Sequence, residues 1–397
     1  MIRRVLMGNT AVAEAVRLAG VQVITAYPIT PQTVIVERIA EMVERGELKA
    51  RYIRVESEHS ALALVYGAAA GGARAFTATS SHGLLYMYEM LWWVAGSRLP
   101  IVMAVVTRSI GPPWGLHSDH HDALTVRDTG WIIGFASSVQ EAFDMTLQAF
   151  KISEDRRVML PAMVALEGFT LSHTAEPVEM PDEKIVSEWL PPREPLPFKI
   201  EPGKAFAVGN TGPDEVTMEL KWLAWRAMER SRFVIRETDL EYAKRFGLRS
   251  YGGLVEDIYA KGSDYVAVAM GAWCGDLKEA VEKLRGEGYR VGLLRIRYFR
   301  PFPWEELREV AQTAKAVLVI DRAVSIGHRG ILGLEVSSAL RGRVPVKNVI
   351  AGIGGVDTGP EDFYSIVKTF IEEYESGSIE GWSIPEWYMP WMGVVSK

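Results

Sequence analysis

Ile101 to Val106 is an unbroken apolar run that ends in Thr107-Arg108. A short run with no polar alternation reads as a strand covered on both faces, the kind found inside parallel sheets flanked by helices. The residues around it have the matching pattern. Asn9 can cap a helix over Thr10 to Ala19 that Gly20 ends, and Val21 to Ala26 follows as a strand. An amphipathic helix runs from Val34 to Arg45, with Val34, Ile35, Ile39, Met42 and Val43 on one side. The β-rich run Tyr52, Ile53 and Val55 leads to a small-residue helix over Ala61 to Ala70, ended by Gly71-Gly72, and then to a strand over Ala75 to Ala78. The run LLYMYEMLWWVAG is apolar around most of its circumference, which predicts a helix buried on all sides. Phe135-Ala136, a helix over Gln140 to Lys151 and a strand over Met159 to Leu166 complete the alternation, which argues for a doubly wound parallel sheet.

Residues from about Leu171 to Asp214 are Pro-rich and weakly periodic, so they read as a linker or an arm over another surface. Helical periodicity returns over Glu215 to Met228. A second alternating unit follows, with strands at Tyr265 to Ala269, Val291 to Ile296, Ala316 to Ile320 and Val346 to Ile350. The expectation is an α/β chain of two domains. The first covers residues 1–230, with a core over 1–170 and an arm over 171–214; the smaller second covers 231–397. The C-terminal stretch GWSIPEWYMPWMG is aromatic and Pro-interrupted, so it cannot be a regular helix and packs on a partner or back on this chain.

Charge and cysteine usage narrow the function classes. The net charge of −6, from 44 basic and 50 acidic residues without a basic block, argues against nucleic acid and membrane surfaces as partners. No stretch approaches the roughly 20 apolar residues that span a bilayer. The N-terminus MIRRVLMGNTAVAEA has neither the apolar core nor the cleavage site of a signal peptide, so a cytoplasmic protein is expected. Cys274 is the single cysteine, and one thiol cannot build a disulfide, a CxxC pair or an iron–sulfur cluster. Electron transfer, if the chain takes part in it, must use other chains.

GxxxxGK[ST], GxSxG and HExxH do not occur, and Gly352-Ile-Gly-Gly355 is too short for a dinucleotide fingerprint. In His117-Ser-Asp119-His120-His121-Asp122 the two adjacent histidines diverge on any regular element, so a polar active-site loop is favoured over a metal site. Glu58 opens a helix, where a carboxylate can simply complement the dipole for about 0.3–1 kcal/mol, and Glu56 could do the same. Arg108 could simply pair with an acid. What singles these residues out is their order. Tyr27-Pro28-Ile29-Thr30-Pro31 is a stiff turn at a strand's carboxyl end, because the prolines fix φ and remove donors. It is followed by Glu56-Ser-Glu58-His-Ser-Ala61, Thr77-Ala-Thr-Ser-Ser81-His82-Gly83, Arg108, Asp119-His120 and Arg127-Asp-Thr-Gly130.

Together these residues resemble the pyrimidine-binding domain of the 2-oxoacid:ferredoxin oxidoreductases, and more closely the α subunit of the multi-subunit pyruvate and 2-oxoisovalerate enzymes. Tyr289 to Pro303, Val319-Ile-Asp-Arg322 and Gly352 to Gly355 resemble that family's second domain, of the transketolase C-terminal kind. The resemblance implies oxidative decarboxylation of a 2-oxoacid to an acyl-CoA, with thiamine diphosphate as cofactor, CoA as cosubstrate and ferredoxin as the external acceptor. It implies a thiamine diphosphate-binding β subunit, a γ subunit and a ferredoxin-like δ subunit or domain, with Mg²⁺ and [4Fe-4S] clusters on those partners and no metal here. Glu58 matches the glutamate that bonds the pyrimidine ring nitrogen. Thr30 and Arg108 match residues that bind the substrate carboxylate, for which an Arg fork is suited. Tyr27, Pro28, Ile29, Ser81 and His82 fall at cofactor-contacting positions. Trp114, His117, Asp119, His120 and His121 stand in a loop where the pyruvate-type enzymes carry other residues, and are expected to shape a substrate pocket. The competing readings are a non-catalytic scaffold subunit and half of another thiamine diphosphate enzyme.

Overall fold

The computed structural model describes all residues except 195, 197–199, 201, 206, 380–384 and 396–397. Ile101–Thr107 is buried along its whole length in the middle of a seven-stranded sheet. Ala75–Thr79, Val23–Ala26 and Arg51–Arg54 follow on one side, and Ala162–Glu167 and Ile132–Phe135 on the other, all parallel. The chain passes from Val23–Ala26 outward to Arg51–Arg54, then crosses back to Ala75–Thr79 on the inner side. The winding therefore reverses between Val23–Ala26 and Ala75–Thr79, and the crevice beyond their carboxyl ends is where such sheets bind ligands.

The last strand of this sheet comes from the other half of the chain. Tyr298–Arg300 pairs antiparallel with Ile132–Phe135. The second seven-stranded sheet has Val346–Ile350, Ala316–Asp321, Tyr265–Ala269 and Val291–Ile296 at its parallel centre, with Val255–Ile258 antiparallel on one edge. Glu386–Met389 and Gly393–Val395 extend the opposite edge, so these residues of the aromatic C-terminal stretch pack back on this chain. Its residues 381–384 lie outside the described ones. The arm is also partly regular: Ala175–Met180 pairs antiparallel with the opening strand Ile2–Met7, and a helix follows over Glu183–Trp189.

Three local expectations are corrected. Asn9 lies inside the first helix, Gly8–Leu18, and not at its cap. The helix starts early because the Asn9 N–H donates to the Ser172 carbonyl at 3.0 Å, which anchors it to the arm. The apolar run after His82 forms two short helices, Ser81–Tyr86 and Tyr88–Gly96. Leu84, Met87, Leu91 and Val94 are buried, whereas Tyr86, Tyr88, Trp92 and Trp93 are exposed. The helix expected to end at Met228 runs from Asp214 to Phe246, through residue 230, and closes at Gly247, whose φ of +65° suits the left-handed cap. Ala227, Val234, Ile235 and Tyr242 are the buried stripe of its second half.

Buried charge joins the two halves. Glu141, on the helix Val139–Glu154, meets Arg295 at 3.0 Å and Arg297 at 2.6 Å. Burial alone would raise the Glu141 carboxyl, but the two guanidiniums outweigh it and hold it at about 2.

Candidate active site

Three loops meet at the crevice. The first, Tyr27 to Pro31, is braced at each end by a buried amide. Asn9 Nδ2 donates to the Pro31 carbonyl at 2.9 Å, and Gln32 Nε2 donates to the Tyr27 carbonyl at 2.8 Å. Gly168 lets the Pro31 ring approach, since a Cβ there would lie 2.8 Å from Pro31 Cγ. The turn is thereby fixed while Tyr27, Pro28 and Thr30 stay exposed.

The second loop carries Glu58. Ser57 caps the helix Glu58–Ala70, its Oγ accepting the Ser60 N–H at 3.2 Å, so Glu58 is the first helical residue. Its side chain turns inward and is 8% exposed. Gly83 makes room for it: a Cβ at Gly83 would lie 2.6 Å from both Glu58 Oε1 and Thr79 Oγ1. Glu58 has no cation partner and no hydrogen-bond partner among the described residues. On the two strands that end here, the buried hydroxyls of Thr25, Thr77 and Thr79 also make no hydrogen bond within the chain, and neither does that of Ser80 just beyond. Buried polar groups are normally paired. An acid beside the unpaired Thr79 hydroxyl, in a space kept open by a glycine, fits a polar ring such as an aminopyrimidine. Glu56, by contrast, is exposed and bonds only to Ser60.

The third loop carries Arg108, which is 5% exposed. Its Nη1 donates to the Thr30 carbonyl at 2.6 Å, its Nη2 lies 3.4 Å from His82 Nδ1, and its Cζ sits 5.0 Å from the Trp114 ring centroid. Trp114 is half exposed and meets His82 edge-on. The Gly111 N–H donates to His82 Nε2 at 3.0 Å, which fixes the imidazole under the loop. No acid pairs with the Arg108 guanidinium among the described residues, and its Nε is buried without a partner. Burial lowers its pKa, with the nearby Asp122 charge opposing.

Asp122 organises this corner, a role that sequence reasoning left unassigned. Its Oδ2 accepts the N–H of Ser81 at 2.8 Å and that of Arg108 at 3.0 Å, and its Oδ1 accepts the Ala123 N–H at 2.8 Å. Ser81 sits at φ +48°, uncommon for a residue with a side chain, and its Oγ also donates to the Ser109 carbonyl at 2.7 Å. Full burial pushes the Asp122 carboxyl up to about 7 against the pull of these donors. Its place at the end of the polar run 117–122 was the only sequence signal.

The rest of that run faces elsewhere. His120 is fully buried. Its Nε2 lies 2.9 Å from Glu167 Oε1, and its ring packs on Phe135 and on Trp273 of the second domain. Glu167 also pairs with Arg322, and the two partners hold its carboxyl low although burial alone would raise it. Asp119 accepts the N–H groups of His121 and Gly354, both at 3.0 Å, and the Val324 N–H donates to His121 Nε2 at 3.0 Å. Asp119, His120 and His121 therefore latch the loop to the second domain. His117 is exposed, packs against Gly355 and lies 5.4 Å from the Phe169 ring. The structure thus brings Tyr27, Pro28, Ile29, Thr30, Glu58, Ser81, His82, Arg108 and Trp114 to one crevice. Among the described residues, no group of three or more His, Cys, Asp or Glu could hold a metal ion.

Comparison with known proteins agrees with this arrangement. Residues 14–239 match the family described as pyruvate flavodoxin/ferredoxin oxidoreductase, thiamine diphosphate-binding, and residues 263–363 match pyruvate:ferredoxin oxidoreductase core domain II. The ketoisovalerate oxidoreductase subunit VorA of Pyrococcus abyssi is 46% identical over 98% of both chains. The pyruvate synthase subunit PorA of Methanocaldococcus jannaschii is 45% identical over 94% of this chain and 96% of its own. In fold, the chain is similar to the 2-oxoglutarate:ferredoxin oxidoreductase of Magnetococcus marinus, with a TM-score of 0.70 at 22% identity. That likeness covers 93% of this chain and 65% of the other. A split-gene transketolase shares the fold at a TM-score of 0.55 and 14% identity. Family matches, full-length relatives and crevice all agree: this chain belongs to the 2-oxoacid:ferredoxin oxidoreductases, as an α subunit of the PorA and VorA kind.

Proposed function

We propose that the crevice holds the aminopyrimidine of thiamine diphosphate and the carboxylate of a 2-oxoacid, in an enzyme that oxidatively decarboxylates that acid to an acyl-CoA. The observation that carries this reading is a pair of unpaired ionisable groups. Glu58 and Arg108 are both nearly buried, both sit at carboxyl ends of strands in one sheet, and neither has an ionic partner among the described residues. A buried ionisable group without a partner is costly in a purely structural role.

When bound, thiamine diphosphate supplies the electron sink that lets a 2-oxoacid lose its carboxyl group. The chain's own residues do the rest. Glu58 holds a proton against the pyrimidine ring nitrogen, the acid–base work that suits a carboxyl at a dry helix start. Arg108 presents its free N–H edge to the substrate carboxylate, and the exposed Thr30 hydroxyl adds a donor. His82 and Trp114 keep the guanidinium in place and shield it from water.

The diphosphate and Mg²⁺ belong in this reading to a β subunit, CoA and ferredoxin are co-reactants, and [4Fe-4S] clusters lie on a ferredoxin-like δ subunit or domain. A γ subunit completes the complex. Cys274 is buried and single, which fits a chain that carries no cluster. In this reading the complex is cytoplasmic. Among the described residues no helix is long and apolar enough to cross a membrane. The test is the purified complex assayed with CoA and ferredoxin on a panel of 2-oxoacids, alongside its Glu58→Gln and Arg108→Lys variants. Turnover that needs thiamine diphosphate and falls in both variants is expected. Wild-type turnover in both would favour a scaffold subunit.

A further inference from the structure

The first half of the helix Asp214–Phe246 stands out from the rest of the chain. Every residue from Asp214 to Leu223 is exposed, including Val216, Met218, Leu220 and Trp222, and Trp225 follows at 59% exposure. An isolated helix shorter than about 12–15 residues is marginal in water, and tertiary packing is what normally holds one. One side of this segment forms the wall of a groove of about 1040 Å³, whose other walls are Trp92 and Trp93 and the second domain's helices Trp304–Val310 and Ile331–Leu340.

The groove is cationic although the chain as a whole carries −6. Six basic side chains line it against three acidic ones. The acids are already engaged: Glu335 and Asp128 with Arg300, and Glu229 with Arg232. Lys221, Arg308 and Arg341 are left without an acidic partner among the described residues. Lys221 lies over the Trp92 ring and Arg308 over the Trp304 ring. Desolvation and the nearby Arg341 and Arg343 charges lower the Arg308 pKa, so the cations crowd one another.

We propose that this groove seats an acidic, apolar segment of a companion subunit, with Lys221, Arg308 and Arg341 meeting its carboxylates and Val216, Leu220 and Trp225 its apolar side chains. A polypeptide is favoured over a nucleic acid because aliphatic side chains line the helix between the cations. A companion chain is favoured over a second copy because α subunits of this family are parts of hetero-oligomers. The inference rests on that subunit role but not on the chemistry at Glu58.

Hydrogen–deuterium exchange on the full chain, alone and in the assembled complex, tests it. Amides of residues 214–226 should exchange fast in the lone chain and slow by about tenfold or more in the complex. The double variant Lys221→Glu/Arg308→Glu should reverse that protection and weaken assembly on the order of tenfold, more steeply at low salt. Lone-chain exchange elsewhere in the second domain should stay unchanged. Thiamine diphosphate content and turnover of whatever complex still assembles report the catalytic crevice separately. Unprotected 214–226 amides in an active complex would overturn the proposal. So would protection that grows with the concentration of the chain alone, which would mark a second copy, or protection conferred by an RNA or DNA oligomer alone.

Discussion

Asp122 holds Arg108 by its backbone and not by its guanidinium, with Oδ2 lying 3.0 Å from the Arg108 nitrogen. The distinction matters chemically. A carboxylate on the guanidinium would neutralise it, whereas a carboxylate on the N–H fixes where the strand ends and leaves the cation for another anion. The same oxygen holds Ser81, so one buried acid sets the spacing between the loop after Ala75–Thr79 and the loop after Ile101–Thr107.

Replacing Arg108 by Lys should therefore spare the fold and the cofactor while weakening substrate binding. Lysine keeps the charge but loses the two-pronged edge. Hydrogen bonds to charged groups contribute about 1.5–3 kcal/mol, so the KM for the 2-oxoacid should rise roughly 10- to 100-fold. Thiamine diphosphate content, measured after denaturing the complex, should match wild type. Loss of cofactor with normal substrate binding would make Arg108 structural.

Asp122→Ala removes the acceptor of three buried N–H groups at once. An unsatisfied buried donor costs about 1–3 kcal/mol, so the variant should lose about 3 kcal/mol or more in chemical denaturation. Asp122→Asn keeps one acceptor oxygen and should fall between the two. Because the folded-state pKa is raised to about 7 from 3.8, the native chain keeps a proton that the unfolded chain has lost between those values. The contribution of Asp122 to stability is thus largest below pH 4 and declines as pH rises towards 7. The pH dependence of unfolding should flatten over that window in Asp122→Asn.

Glu141 has the opposite sign. Its carboxyl is held at about 2 against 4.5, so its contribution is full above pH 4.5 and is lost as pH falls towards 2. Glu141→Gln removes the counter-charge that Arg295 and Arg297 share, leaving Arg295 with Glu256 at 2.7 Å and Arg297 with Asp239 at 3.5 Å, and should destabilise the junction of the two domains by less than the roughly 3–5 kcal/mol of a wholly uncompensated buried charge. A variant as stable as wild type at pH 7 would remove this cluster from the account of how the domains are joined.

Much of the fold and most of the residues at the crevice were legible in the sequence, because what defines them is local. Tyr27 to Pro31 is stiff through its own prolines, Glu58 follows its own cap, and the apolar run at Ile101 can only be a covered strand. What the sequence does not show is contact made at long range. His121 meets Val324 across 203 residues and Asp119 meets Gly354 across 235, so nothing near them in sequence shows that they face another domain. Ile2–Met7 is a strand because Ala175–Met180 pairs with it, and Tyr298–Arg300 completes a sheet begun in the other half of the chain. The run from Leu84 to Gly96 reads as interior because its apolar pattern alone does not separate core from exposed surface, and Tyr86, Tyr88, Trp92 and Trp93 are exposed.

Gly83 links the fold to the chemistry. A methyl group there would meet Glu58 Oε1 and Thr79 Oγ1 at 2.6 Å, so Gly83→Ala should push the Glu58 carboxylate aside. Overpacking of this kind costs about 1–3 kcal/mol. The complex should still assemble, with turnover falling by a larger factor than stability. Unchanged turnover would mean that the Glu58 position is not critical.

The most direct test is hydrogen–deuterium exchange at the thiazolium carbon of thiamine diphosphate in the assembled Glu58→Gln complex, sampled by quenched flow and read by NMR. Glutamine preserves size and most hydrogen bonding but carries no titratable proton. If Glu58 does the acid–base work, exchange should slow by about 10²–10⁴-fold while the cofactor stays bound. If Glu58 only complements its helix dipole, the variant should lose under about 1 kcal/mol of stability and exchange at the wild-type rate. Wild-type exchange with intact turnover would contradict the central claim.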